Sequence, residues 1–283
     1  MNYPAVFEQA EKDTLDIVRI EKGIQFLAQY IQYTCLFFMN WILDRYRLRK
    51  GRKRMKIYAM SDIHGCMAEF EQALELVLDH LDEPDTMLVL LGDYVHGGPD
   101  GRKVLDRIMD LQSRYGSDRV VAILGNHEEM VIKGESTVDY MTRKFLDEPV
   151  YEEEDDDYIA WMEELPRYYT EGNTIFVHAG IDEEAGDMWE WSTDDWTLTA
   201  RFPATTGKIP GLDAKVVAGH VYSSRVAGNP WFHGIYYDGA SHYYIDGDVL
   251  TSGYIPVLLV DTKEDVYYNV TQGGIWKVQP YEE

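Results

Sequence analysis

KIYAMSDIHG, residues 56–65, decides how this chain reads. Its first five residues form a short, largely apolar run, and the loop that follows at once carries Asp62 and His64. A continuous run of this length marks a strand buried on both faces. The arrangement then returns down the chain. TMLVLL (86–91) leads into GDYVHGG, which supplies Asp93, and VVAIL (120–124) leads into GNHE, which supplies Asn126, His127 and Glu128. TIFVH (174–178) ends on His178 before Ala-Gly, and KVVAG (215–219) is followed by His220.

Helical spacing separates the first of these runs. Phe70, Ala73, Leu74, Val77 and Leu78 share one face over 67–81. Val104, Leu105, Ile108 and Leu111 do so in the next interval, and a further helix begins around Glu128 to Ile132. Strand, loop and helix in that order predict an α/β fold with a largely parallel sheet and helices on its faces. Past residue 170 the strands come faster: IYYDG (235–239), HYYID (242–246), YIPVLLV (254–260) and DVYYNV (265–270). The linking turns DGAS and TKED predict hairpins and a second sheet.

In an open α/β sheet the loops at the carboxyl ends of the strands converge on one crevice. Loops that each deliver Asp, His or Asn there can build a metal site. Imidazole with carboxylate and amide oxygen suits Mn, Fe or Zn better than Ca or Mg alone. A carboxylate such as Asp93 can bridge two cations. Two cations about 3.5–4 Å apart can hold a bridging hydroxide and the oxygens of a phosphoryl group in line. A histidine just outside the ligands can protonate the leaving oxygen, and His127, next to Asn126, stands where that acid is needed. His80, His233 and His242 lack this context and read as structural.

Charge narrows the partners. The 283 residues carry a net −24, but residues 1–54 are net +4 and the remainder net −28. A body this acidic excludes a nucleic-acid polymer, whose phosphates need Lys and Arg. Residues 147–164, DEPVYEEEDDDYIAWMEE, read as a solvated loop and helix face. DMWEWSTDDW (187–196) reads as packing aromatics, with a substrate-contacting loop as the alternative. Two cysteines, Cys35 and Cys66, make no disulfide framework, which points to a reducing, cytoplasmic setting.

The N-terminal segment stands apart. Residues 24–43 carry no formal charge over a length that could span a bilayer, and the basic stretch 44–56 would hold the body on the cytoplasmic side. Gln25, Gln29 and Gln32 make a polar stripe better suited to an interfacial or packed helix. The expectation is an N-terminal extension over 1–54, dispensable or associated with a membrane through 24–54, ahead of a catalytic domain over 55–283. Met55 would also serve as a natural domain start.

Together the motifs Asp-x-His-Gly, Gly-Asp-Tyr-Val, Gly-Asn-His-Glu, His-Ala-Gly and Gly-His resemble the calcineurin-like metallophosphoesterase superfamily. The resemblance is to its phosphoprotein-phosphatase branch, with the bacterial serine/threonine phosphatases and diadenosine tetraphosphatases, and covers roughly 55–260. ELPRYY (164–169) and YYIDG (243–247) add to it. It implies a four-layer fold, a central β-sandwich of two mixed sheets flanked by helices. It implies two divalent cations, Mn²⁺ first with Fe or Zn as alternatives. Asp62, His64 and Asp93 would hold one, and Asp93, Asn126, His178 and His220 the other, with His127 as general acid. The implied activity is hydrolysis of phosphate esters on a small molecule, a nucleotide or a phosphoprotein.

One motif departs from the family. Where the family continues Gly-Asp-x-Val-Asp-Arg-Gly, this chain has His96 and Gly97. A neutral His96 can still accept a hydrogen bond from His127 and so take part in catalysis, but it adds no negative charge. Gly97 offers nothing to grip a phosphate oxygen. Arg102 and Arg225 are the candidates for substrate binding in its place, with Arg201 also in reach of that role. The departure leaves open a dinucleoside polyphosphate hydrolase, or a metal-binding pseudo-phosphatase that acts through partners.

Overall fold

A computed structural model describes residues 55–139 and 153–282, all within one compact unit, Lys53–Glu283. The expectations placed on residues 1–54 lie outside the described residues. Among those described, no helix is long and apolar enough to cross a membrane.

Strands β1 (Lys56–Met60), β2 (Thr86–Leu90) and β3 (Val120–Ala122) stand where the apolar runs predict them. β1 pairs parallel with β2, and β2 with β3. The sandwich needs five further strands for its second layer: β4 (Tyr168–Glu171), β5 (Thr174–Val177), β6 (Lys215–Ala218), β7 (Tyr236–Tyr237) and β8 (His242–Tyr244). These form one sheet in the order β4-β5-β6-β8-β7, parallel at its centre and antiparallel at both edges. β9 (Val257–Asp261), β10 (Val266–Thr271) and β11 (Gly274–Lys277) return to the first sheet, giving β11-β10-β9-β1-β2-β3. The TKED turn therefore extends the first sheet, whereas DGAS closes a hairpin in the second.

Period-two alternation sends the side chains of β1 and β2 to both faces, where all but Lys56 are buried. Ile57, Ala59, Met87 and Val89 face the second sheet and pack with Phe176, Val217 and Tyr243. Tyr58, Met60, Leu88 and Leu90 face helices α1 (Met67–Leu74) and α2 (Gly101–Tyr115), where Phe70, Leu74, Val104, Leu105, Ile108 and Leu111 meet them. Each such side chain contributes about 1.5–3 kcal/mol of burial. On the far face of the second sheet, Ile175, Val177, Val216 and Ala218 pack against Trp189 and Leu198. Helices, sheet, sheet and helices make four layers, with Tyr237, Tyr243 and Tyr267 stacked at 4.2 and 4.4 Å between ring centroids.

Three local expectations change. The helix expected over 67–81 is two pieces, Met67–Leu74 and Leu78–Leu81. The backbone N–H of Leu76 and of Val77 donates to the carbonyl three residues back, tightening the join. The acidic stretch is not uniformly solvated: Asp155 is buried and accepts from the Val138 N–H and from Arg102. Of the three tryptophans at 189–196, only Trp189 is core, edge-on to Tyr168, while Trp191 is 61% exposed and Trp196 57%.

Candidate metal centre

The loops leaving β1, β2, β3, β5 and β6 meet at one edge of the sandwich. The first is tied to the second by backbone bonds: the N–H of His64 donates to the carbonyl of Asp93 at 2.9 Å, and that of Gly65 to Tyr94 at 2.8 Å. Glu128, on α3 (Asn126–Ile132), is buried and holds the same loop from below. Its carboxylate accepts from the N–H of Asp93 and Tyr94, both at 2.8 Å, and from Gly125 at 3.1 Å. Burial, then the Asp93 charge, raises this carboxyl to about 7.

Asp93 is the hub. Its Oδ1 accepts from the His127 N–H at 3.0 Å and lies 3.3 Å from His178 Nε2. Its Oδ2 lies 3.7 Å from His127 Nε2 and 3.9 Å from His64 Nε2. The donor atoms of His64, Asp93 and His127 lie within 4.8 Å of one another, as do those of Asp93, His178 and His220. Asn126 Oδ1 is 3.0 Å from His178 Nε2. Asp62 joins through its carboxylate, which accepts from the His220 N–H at 3.0 Å and from the Ser61 hydroxyl. Gly125 and Gly219 allow this density, since a Cβ on either would run into Asp93 or Asp62.

Three features fit this donor set to divalent cations. First, His178 Nδ1–H donates to the Leu91 carbonyl at 2.6 Å and His64 Nδ1–H to Val95 at 3.3 Å. Both anchors leave Nε2 as the nitrogen turned toward Asp93, the atom that could ligate a metal, as metal-ligating histidines are held. Second, burial depresses the His178 imidazole, but Asp93 more than reverses this and raises it to about 10. Burial pushes Asp93 the other way, and the imidazoles of His178 and His127 pull it well below the usual carboxylate range. A divalent cation there would take the place of the shared proton. Third, Asp62, His64, Asp93, His96 and His220 all have left-handed backbone, with φ between 50° and 69°. Strain of about 1–3 kcal/mol per residue persists where the surrounding structure over-determines it.

His96 and His127 form a pair. His96 Nε2–H donates to the Thr137 carbonyl at 2.8 Å, so its Nδ1 is free to accept from His127 Nδ1–H at 2.9 Å. Burial lowers His96 to about 4, which keeps it neutral near pH 7.

The two candidate cations do not join this cluster. Arg102, on α2, is engaged by Asp139, Glu154 and Asp155. Arg225 is exposed and stacks on Phe202 at 4.8 Å. Arg201 donates to the Ile181 carbonyl and lies 3.6 Å from Glu183. One acid has no counterpart among the sequence expectations. Asp246, after β8, is buried; its Oδ1 accepts from the Asp248 N–H at 2.8 Å, and its Oδ2 has no hydrogen-bond partner among the described residues. Burial first, then the Asp62 charge, raises its carboxyl well above the usual range. Its only trace in the sequence is YYIDG, which names no role.

A sequence model of the calcineurin-like phosphoesterases matches residues 55–258. A symmetrical bis(5'-nucleosyl)-tetraphosphatase of Nitrosospira multiformis is 31% identical over 128 residues, which is 45% of this chain and 44% of that protein. Its counterpart in Methylococcus capsulatus is 33% identical over 128 residues, again 45% and 44%. The match thus spans under half the length of these curated relatives. Among solved structures, the cold-active protein-tyrosine phosphatase of a psychrophilic Shewanella superposes with a TM-score of 0.57 at 15% identity, covering 80% of this chain and 81% of that one. That likeness is one of fold.

Proposed function

We propose that this chain, which belongs to the calcineurin-like phosphoesterase family, hydrolyses phosphate esters at the edge of its sandwich. Asp62, His64 and Asp93 would hold one divalent cation, and Asp93, Asn126, His178 and His220 a second. When bound, such a pair supplies Lewis acidity to phosphoryl oxygens and makes hydroxide available near neutral pH. The single observation behind this reading is the convergence of the Nε2 atoms of His64 and His178 and the Asn126 oxygen on the carboxylate of Asp93.

The chain's own groups do the rest. A water oxygen bonds to phosphorus, the bond from phosphorus to the leaving oxygen breaks, and that oxygen must collect a proton. His127 is the acid. Its Nδ1–H is held by His96 Nδ1, so in the imidazolium the proton to be given sits on Nε2, the ring nitrogen 3.7 Å from Asp93 Oδ2. His96, fixed in turn by Thr137, orients the ring without adding charge. Burial lowers His127, which favours release of that proton.

Mn²⁺ is the cation we would supply first, on the mixed His, Asp and Asn donor set. The relatives' names favour a nucleotide substrate: a dinucleoside tetraphosphate is the reading to test beside phosphomonoesters and a phosphopeptide. A free Cys66 thiol, which burial pushes up to about 11, suits the reducing cytoplasm.

The test is phosphate or nucleotide release by the full chain with Mn²⁺ from p-nitrophenyl phosphate, a phosphopeptide and diadenosine tetraphosphate. His127→Ala is expected to lose about 10²–10⁴-fold in kcat. Absence of turnover on all three, with two metals bound per chain, would replace catalysis by a binding role.

A further inference from the structure

Leu250 packs against Gly97, on the loop that carries Asp93 and His96. Its Cδ1 lies 2.6 Å from where a Cβ on Gly97 would stand, and Gly97 has φ +97°. No side chain can occupy position 97 while Leu250 stays in place. Leu250 is 51% exposed, on the helical turn Val249–Ser252 that follows the buried Asp246. The neighbouring Tyr254 is 37% exposed and Tyr222, two residues after His220, 38%. The position next to His96 is therefore faced by an apolar, half-exposed side chain instead of a cation.

The cations near this edge are engaged elsewhere. Arg201 is held by Ile181 and Glu183, Arg167 by Glu129 and Asp195, and Arg225 lies over Phe202. A phosphomonoester near neutral pH brings close to two negative charges on its terminal oxygens. A phosphorus with two organic or phosphoryl substituents brings one, and its second substituent needs a surface to lie on.

We infer that Leu250 determines specificity at this centre, which takes singly charged, disubstituted phosphorus, with the second substituent lying against Leu250, in preference to phosphomonoesters. This rests on the phosphoesterase reading above and narrows its substrate. Phosphodiesters and the internal phosphorus of a dinucleoside polyphosphate both qualify. In the diester reaction, water's oxygen bonds to phosphorus, the alcohol leaves with a proton, and a monoester remains.

Bis(p-nitrophenyl) phosphate and p-nitrophenyl phosphate test this directly, because they share a leaving group and differ in the second substituent. With Mn²⁺ and the full chain, kcat/KM is expected to be higher for the diester. Leu250→Ala removes part of that apolar surface and should lower the diester-to-monoester ratio about tenfold. Leu250→Lys should lower it further by adding a charge for the dianion, and Leu250→Met should keep it near the starting value. Preference for the monoester, or a ratio unmoved by Ala and Lys while both substrates turn over, overturns the inference and leaves the phosphoesterase reading standing. No turnover of either compound, with two metals bound, overturns both.

Discussion

His242 and His178 are both buried histidines set among carboxylates, yet their surroundings differ in kind. His242 lies within strand β8 and donates from Nδ1 to Asp238 at 2.8 Å and from Nε2 to Glu183 at 3.1 Å. Those carboxylates are further satisfied by the N–H groups of Gly207 and Ala240, both at 2.7 Å, and by the Thr205 hydroxyl. Every charge has its partner, and the backbone is regular. His178 instead turns one nitrogen toward two oxygens, those of Asp93 and Asn126, amid five residues with left-handed backbone. Of the seven non-glycine residues with positive φ among the described residues, those five belong to the candidate centre. A satisfied cluster is built to hold the fold. A convergent, strained one is built to hold something else.

Asp93→Asn should break the comparison most sharply. An amide cannot bridge cations as a carboxylate does, so activity should fall to background, and mass spectrometry of the native protein should show loss of bound metal. If metal content and rate both survived, the convergence at Asp93 would have no functional meaning. His242→Ala should act in the opposite sense. It leaves Asp238 and Glu183 buried without their cation, a loss of about 3–5 kcal/mol in denaturant unfolding. The kcat of the remaining folded protein should be unchanged.

Solution pH separates the clusters more gently. Burial opposes charge on His242, but its bonds to Asp238 and Glu183 raise it from 6.5 to about 9. A raised imidazole contributes stability that is complete below the unfolded value and is lost as pH climbs through the folded one. The share of the unfolding free energy that His242 contributes should therefore decline between about pH 6.5 and 9, by on the order of 3 kcal/mol at most. Glu183 and Asp238 are lowered by the same contacts, though burial opposes it, so their share is lost as pH falls instead. His242→Gln should flatten the alkaline decline. A slope unchanged in that variant would show that the pair is not the source.

Much of this contrast is legible in the amino-acid sequence. The apolar runs ahead of Asp62, Asp93, Asn126, His178 and His220 place each of them at a strand end, because continuous burial and the loop that follows are both local properties. His242, which lacks a metal-site motif, is structural in the fold as well. What the sequence does not carry is long-range. β4 and β11 have weak apolar signals: Tyr168–Glu171 is only partly buried and Ile275 and Trp276 are exposed, so neither strand announces itself. Arg102 stands four residues from Gly98 in the chain, and only the fold shows that it serves Asp155 and its neighbours. Leu250 and Gly97 lie far apart in sequence and meet only in space. Asp246 is set apart by burial with an unpartnered Oδ2, which only the fold shows.

Glu128 lies between the two clusters in character, and its substitution is the smallest effect and the finest test. It is fully satisfied like Asp238, yet what it satisfies is the loop of Asp93: the N–H groups of Asp93, Tyr94, Val95 and Gly125 all point at its two oxygens. Glu128→Gln keeps the volume but places an NH₂ group against one pair of those donors. One pair must then lose its acceptor, and the Asp93 loop must shift by a fraction of an ångström to relieve it. Partners that orient metal ligands cost about 10–100-fold in affinity or rate when lost. Glu128→Gln should therefore reduce Mn²⁺ affinity and kcat within that range and leave substrate KM nearly unchanged, since Glu128 touches no open surface. A loss of stability with metal affinity intact would move Glu128 into the company of His242, as a residue that holds the fold and nothing more.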